Sequence, residues 1–218
     1  ASSAALFGID DVASYRLPSL LGFLATLTLT YFFTRSLFPS PAAPLHGLLA
    51  GLMLASGPLL QAEALLAKTD SLLLATILCQ QIMLWRIYRD SELKSPASHW
   101  GAFWIALSAS ILLKGPIGPL VSVVTIVGLC VIDRNMSWLK RLCWGRGLLI
   151  VGLITLPWGV AVTIATDGAF LKTAISADFL AKVQSGQESH GAPFGTYFLL
   201  MFLMFFPASA FLCFVPLL

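Results

Sequence analysis

The stretch Glu63-Ala-Leu-Leu-Ala-Lys68-Thr69-Asp70-Ser71 puts two carboxylates, an ammonium and two hydroxyls close together in an otherwise apolar chain. Carboxylates can take up a proton and an ammonium can hold an anion. Ionisable groups at membrane depth cost about 2.5–3.5 kcal/mol each, so such a run tends to be paired or functional. A plainer account is also open: Thr69 or Asp70 caps the next helix while Lys68 snorkels to an interface. A cap explains Asp70 but not Glu63. Asp70 is the candidate catalytic group, Glu63 a possible second carboxylate, and Lys68 a candidate phosphate-binding residue.

Two more places join this one. Lys114 sits in Leu112-Leu113-Lys114-Gly115-Pro116-Ile117-Gly118-Pro119, where glycine and proline end one helix and open the next. An ammonium beside a helix N-terminus suits a phosphate headgroup, although an interfacial anchor would look the same. Farther on, Gln187-Glu188-Ser189-His190-Gly191 follows Asp178 and Lys182 in a polar stretch. Glu188 and His190 stand two apart and could bind a divalent metal or a sugar hydroxyl only with partners from elsewhere. Both are held as substrate-binding candidates, and a metal is left open.

Glycine-rich phosphate loops, nucleophile elbows and basic-aromatic stripes are missing, which argues against soluble nucleotide chemistry and nucleic-acid binding. The cysteines Cys79, Cys130, Cys143 and Cys213 form no CxxC pair and read as small buried hydrophobes.

The elements that must position these groups follow from composition. Hydrophobic residues make up 58% of 218, charged residues 11%, and mean hydropathy is +0.88, so lipid is the expected solvent. Backbone groups in lipid must pair within a helix or a closed barrel, and Leu148–Trp158 and Phe198–Phe206 lack the alternation of barrel strands. The expected fold is therefore all-α, a bundle of about seven spanning helices near 16–38, 44–66, 69–89, 98–113, 116–133, 146–166 and 194–217. Pro18 is expected in the first turn of the first helix, and 167–193 as a longer outer loop. With no signal-like start and an apolar run up to Leu218, residues 1–218 read as an internal part of one longer transmembrane domain.

Alternating traversal puts Arg35, Arg86, Arg89, Lys94, Arg134, Lys140, Arg141 and Arg146 on one side, and Arg16, Lys68, Lys114, Lys172 and Lys182 on the other. That division, 8 against 5 of the 13 Lys and Arg, marks the first side as cytoplasmic. Most acids, Glu63 and Asp70 among them, then fall outside.

In order and spacing, five motifs resemble the GT-C class of polytopic glycosyltransferases, in particular aminoarabinose-to-lipid-A transferases and protein O-mannosyltransferases. They are Leu6-Phe7-Gly8 with Arg16-Leu17-Pro18-Ser19, then Lys68-Thr69-Asp70, Leu113-Lys114-Gly115, Leu156-Pro157-Trp158, and His190-Gly191-Ala192-Pro193-Phe194. The resemblance implies an inner-membrane enzyme that moves a sugar from a polyprenyl-phosphate donor to a lipid, lipid A-like, or protein acceptor at the periplasmic face. It carries Asp70 and His190 over as active-site positions and places the family's principal acidic motif upstream of Ala1. Gly191 stands where aminoarabinose transferases tend to have a basic residue, which leaves the donor sugar open. The rival reading is a flippase or transporter for polyprenyl-linked glycolipids, which would favour charges and broken helices at the membrane midplane.

Overall fold

The protein is described here from a computed structural model covering residues 12–66, 68–89, 96–167, 169 and 195–211. It is built from helices, with no strand among the described residues. They are α1 (Val12–Leu37), α2 (Ala43–Ala55), α3 (Pro58–Leu65), α4 (Asp70–Arg89), α5 (Pro96–Lys114), α6 (Ile117–Asp133), α7 (Trp144–Ala165) and α8 (Thr196–Met204), with a short 3-10 helix at Ser137–Leu142. The expected helical bundle is present. Tyr15–Leu37, α4 and α7 are each long and apolar enough to cross a membrane, and α2 with α3 makes a fourth if the bent pair is one span. With 17 residues α6 is about 25 Å long, short of a ~30 Å hydrocarbon layer.

Three local expectations are corrected, and at a fourth place, the third below, the structure adds an element. First, α1 starts at Val12, so Pro18 lies inside the helix rather than in its first turn. Second, the expected helix 44–66 is two helices meeting at 67°. Gly57 is extended (φ −66°, ψ 123°), as the residue before Pro58 prefers, and Pro58 then opens α3. Gln61 spans the break, its Nε2 donating to the Ala55 carbonyl at 2.9 Å, and no charged residue lies at it. Third, the connection after α6 contains the 3-10 helix, which buries Trp138 and Leu142. Fourth, α8 stops at Met204 and gives way to turns around Pro207, whose missing N–H does not suit a continuing helix.

Contacts along the helices fix their directions. Gly22 of α1 lies against the backbone of Ser71 and Leu72, and Phe33 meets Trp85 edge-to-face at 5.2 Å, so α1 and α4 run the same way. The bent α2–α3 pair is the return between them. Asp70 meets Lys114, and Gln80 meets Ala106, so α4 and α5 are antiparallel. Gln80 also meets Ser122, and Tyr88 meets Asp133, so α6 runs parallel to α4. Helix direction thus alternates through α6, in keeping with the alternation expected from the sequence.

The densest packing lies toward the Arg89 end of α4. Leu84, Ile87, Phe103, Trp104, Leu107, Cys130, Trp138 and Leu142 form one buried cluster. Trp104 donates from Nε1 to the Leu142 carbonyl at 2.7 Å, and Gly147 of α7 packs against its ring, so α7 docks where a side chain would not fit. Midway along the bundle the fully buried Gln80 donates to the Ala106 carbonyl (3.2 Å) and accepts from Ser122 Oγ (2.8 Å). Both heteroatoms of that amide therefore have a partner, as a fully buried amide requires. Leu148, Leu149, Leu153, Leu156 and Ile164 of α7 face outward, as a lipid-contacting surface should.

Candidate functional site

Asp70 is the first residue of α4, and Lys114 is the last of α5. Their side chains form an ion pair at the opposite end of the bundle from the dense core. Asp70 suits its place, since a carboxylate in the first turn faces the positive end of the helix dipole. Lys114 is put there by Gly115, whose φ of +65° turns the chain out of α5 at little steric cost, its N–H still bonding to the Ile111 carbonyl at 2.8 Å. The ammonium side chain is 45% exposed and the carboxylate 28%, so a ligand can reach both.

The approach to Asp70 is held from α1. Ser19 is fully buried, and its hydroxyl lies 2.7 Å from the Leu66 carbonyl and 2.5 Å from that of Lys68. It ties down the connection on which Lys68 sits exposed. Three residues farther along α1, a Cβ on Gly22 would overlap the backbone of Ser71 and Leu72, so only glycine lets α4 begin this close to α1.

Beside the ion pair lies a cavity of about 290 Å³, lined by Met53 and Leu54 of α2, Leu60 and Glu63 of α3, Asp70, Ser71 and Leu74 of α4, and Met204, Phe205 and Ala208 at the end of α8. Its wall is apolar apart from Glu63, Asp70 and Ser71. Glu63 is half-buried, and its Oε2 has no hydrogen-bond partner among the described residues. The hydroxyl of Ser71, which is 1% exposed, has none either. Among the described residues, no three His, Cys, Asp or Glu side chains gather as metal ligands would.

Of the residues singled out in the sequence, Asp70, Lys114, Lys68 and Glu63 therefore share one end of the bundle. Glu188 and His190 lie outside the described residues. Sequence reasoning missed the direct pairing of Asp70 with Lys114, the hold of Ser19 on the Lys68 connection, and the orphaned hydroxyl of Ser71. A signal for Ser19 was present in Arg16-Leu17-Pro18-Ser19, but nothing in it says which carbonyls the hydroxyl meets.

Residues 2–167 match the family described as dolichyl-phosphate-mannose-protein mannosyltransferase. The chain belongs to that family. In fold this family member resembles the crystal structure of ArnT from Cupriavidus metallidurans in the apo state, with a TM-score of 0.79 and 20% identity. The match covers 96% of this chain and 37% of the ArnT chain, so the family member spans little more than a third of that relative's length. No curated protein matches its sequence. The membership and the helical likeness agree with the GT-C resemblance read from the five motifs.

Proposed function

We propose that this mannosyltransferase-family chain is part of the transmembrane domain of a membrane glycosyltransferase. The enzyme moves a sugar from a polyprenyl-phosphate donor to a lipid, lipid A-like, or protein acceptor. Its site faces the extracytoplasmic side of the membrane, the periplasm of a bacterial inner membrane. The observation that carries the reading is the gathering of Lys68, Asp70 and Lys114 at one end of lipid-facing helices, next to an apolar cavity. A lipid-anchored donor delivers its phosphate at that depth, where exposed ammonium groups can meet it.

In the proposed reaction the acceptor oxygen forms a bond to the anomeric carbon as the bond from that carbon to the phosphate oxygen breaks. The electron pair leaves with the phosphate, and the acceptor proton passes to a carboxylate. Lys114 neutralises the departing phosphate, with Lys68 as a second cation. Asp70 first holds Lys114 in place. Once the phosphate draws the ammonium away, the carboxylate is left without its cation and can accept the proton. His190 and Glu188 remain proposed neighbours of the substrate, with or without a divalent metal.

A transporter would place its charges at a midplane break. The break between α2 and α3 carries none, which supports the enzyme. The deciding experiment supplies the full-length protein in proteoliposomes with radiolabelled polyprenyl-phosphate sugar and an acceptor lipid or peptide. Label passing to the acceptor is the expected result; movement of intact donor across the bilayer without transfer would overturn the reading.

A further inference from the structure

We infer that the cavity between α2, α3, α4 and the end of α8 is a subsite for the uncharged, hydroxyl-bearing end of an amphiphilic acceptor, recognised by Glu63 and Ser71 and closed to phosphate. The inference rests on the proposed transfer reaction and adds to it the chemistry of the acceptor side.

Two orphaned oxygens carry it. Burying a hydroxyl or a carboxylate oxygen without a partner costs on the order of 1–3 kcal/mol, so such groups in a cavity wall signal an absent partner. Ser71 Oγ and Glu63 Oε2 are both in this state, and both residues line the same space. Asp70, the proposed proton acceptor, lines the same cavity as Ser71, so a ligand hydroxyl bound there shares a space with the group that would take its proton. The remaining wall of Met53, Leu54, Leu60, Leu74, Met204 and Phe205 offers only dispersion contacts. A hydroxyl attached to hydrocarbon or to an apolar ring face satisfies both parts of that surface.

The sign of the charge selects against the donor phosphate. Glu63 has no cation beside it in an ion pair among the described residues, whereas Asp70 is neutralised by Lys114. A phosphate pushed into the cavity would meet an uncompensated carboxylate in a poorly solvated wall. The same phosphate outside it meets Lys114 and Lys68. The bundle end is thereby divided into a cationic outer part for the leaving group and an anionic, apolar inner part for the nucleophile. The volume of about 290 Å³ sits at the small end of ligand sites, typically ~300–1,000 Å³, and admits one ring or a short chain segment rather than a whole lipid.

The test uses the full-length protein in lipid nanodiscs and two photoreactive probes, a diazirine-bearing decyl alcohol and the same chain ended by a phosphate. Irradiation and peptide mapping should place alcohol adducts on Met53, Leu54 or Met204, removable by excess decanol. Labelling by the alcohol should exceed that by the phosphate at least ~5-fold, about one hydrogen bond's worth. Ser71→Ala should cut alcohol labelling by a similar factor, and Glu63→Gln, which keeps the shape, should abolish the preference over phosphate. Equal labelling of those residues by both probes in the wild-type protein, or none by either, overturns the inference without any variant having to fold. In transfer assays Glu63→Gln should raise KM for the acceptor and leave KM for the donor unchanged; the reverse pattern also overturns it. Absence of transfer in the wild type would strike the proposed reaction instead and leave the labelling result standing.

Discussion

Asp70 and Lys114 are separated by 44 residues of chain and joined by an ion pair at the point where α4 begins and α5 ends. Both groups are partly exposed, and such pairs contribute at most about 1 kcal/mol to folding. The pair's value to the protein should therefore lie in chemistry rather than stability. Asp70→Asn and Lys114→Ala should each slow sugar transfer at least ~10-fold, the scale of one charge-assisted contact. Thermal unfolding in detergent should change by less than ~1 kcal/mol in either variant. Initial rates at wild-type level in both would show that the pair is only an anchor and a cap.

Gly22 offers a test of what places Asp70. A methyl group there overlaps the start of α4, so Gly22→Ala should destabilise the fold by about 1–3 kcal/mol and depress transfer with it. Gly128 of α6 has no atom within 4 Å of such a methyl, and Gly128→Ala should be neutral or stabilising by up to ~1 kcal/mol. Unfolding midpoints for the two variants, measured side by side, check the contrast. Equal midpoints would remove the close-approach argument.

How much of this was legible beforehand differs from residue to residue. The gaps between charged residues gave helix positions through α7 to within a few residues, because lipid leaves a backbone little choice. Lys114-Gly115-Pro116 announced a tight reversal, and φ at Gly115 agrees. Pro18 misled, since proline is a first-turn signal in water but is tolerated inside helices whose neighbours and side chains satisfy the freed carbonyl. Gly57-Pro58 is a break whose local chemistry was readable, yet it lies in an uncharged run that looks like one span. Meetings such as Asp70 with Lys114 or Gln80 with Ser122 depend on how three helices are rotated, and one sequence carries no direct signal for that.

At the other end of the bundle, Trp104→Phe should separate stability from activity. The variant keeps the ring packing but leaves the buried Leu142 carbonyl without its donor, at a cost of about 1–3 kcal/mol. Transfer per folded molecule should be unchanged, since nothing in the cluster touches the Asp70 end. A selective loss of turnover with an unaltered unfolding midpoint would contradict this division of labour.

Sidedness can be read directly by chemical labelling. Lys68→Cys and Arg141→Cys in an otherwise cysteine-free full-length protein should react with a membrane-impermeant maleimide from opposite faces of sealed vesicles. Lys68→Cys should be the one accessible from the extracytoplasmic face. Labelling of both from one face would place the cations of the proposed site away from an externally delivered donor.

The fully satisfied amide of Gln80 has a mechanical consequence. Sliding α4 along α5 or α6 by one turn, about 5.4 Å, would strand that amide and the Ser122 hydroxyl in hydrocarbon at a cost of several kcal/mol. These three helices are thus pinned at a common depth and behave as a fixed frame. Entry of a bulky lipid therefore cannot come from sliding among these three helices, and among the described residues the bent α2–α3 pair lies outside the set that Gln80 pins.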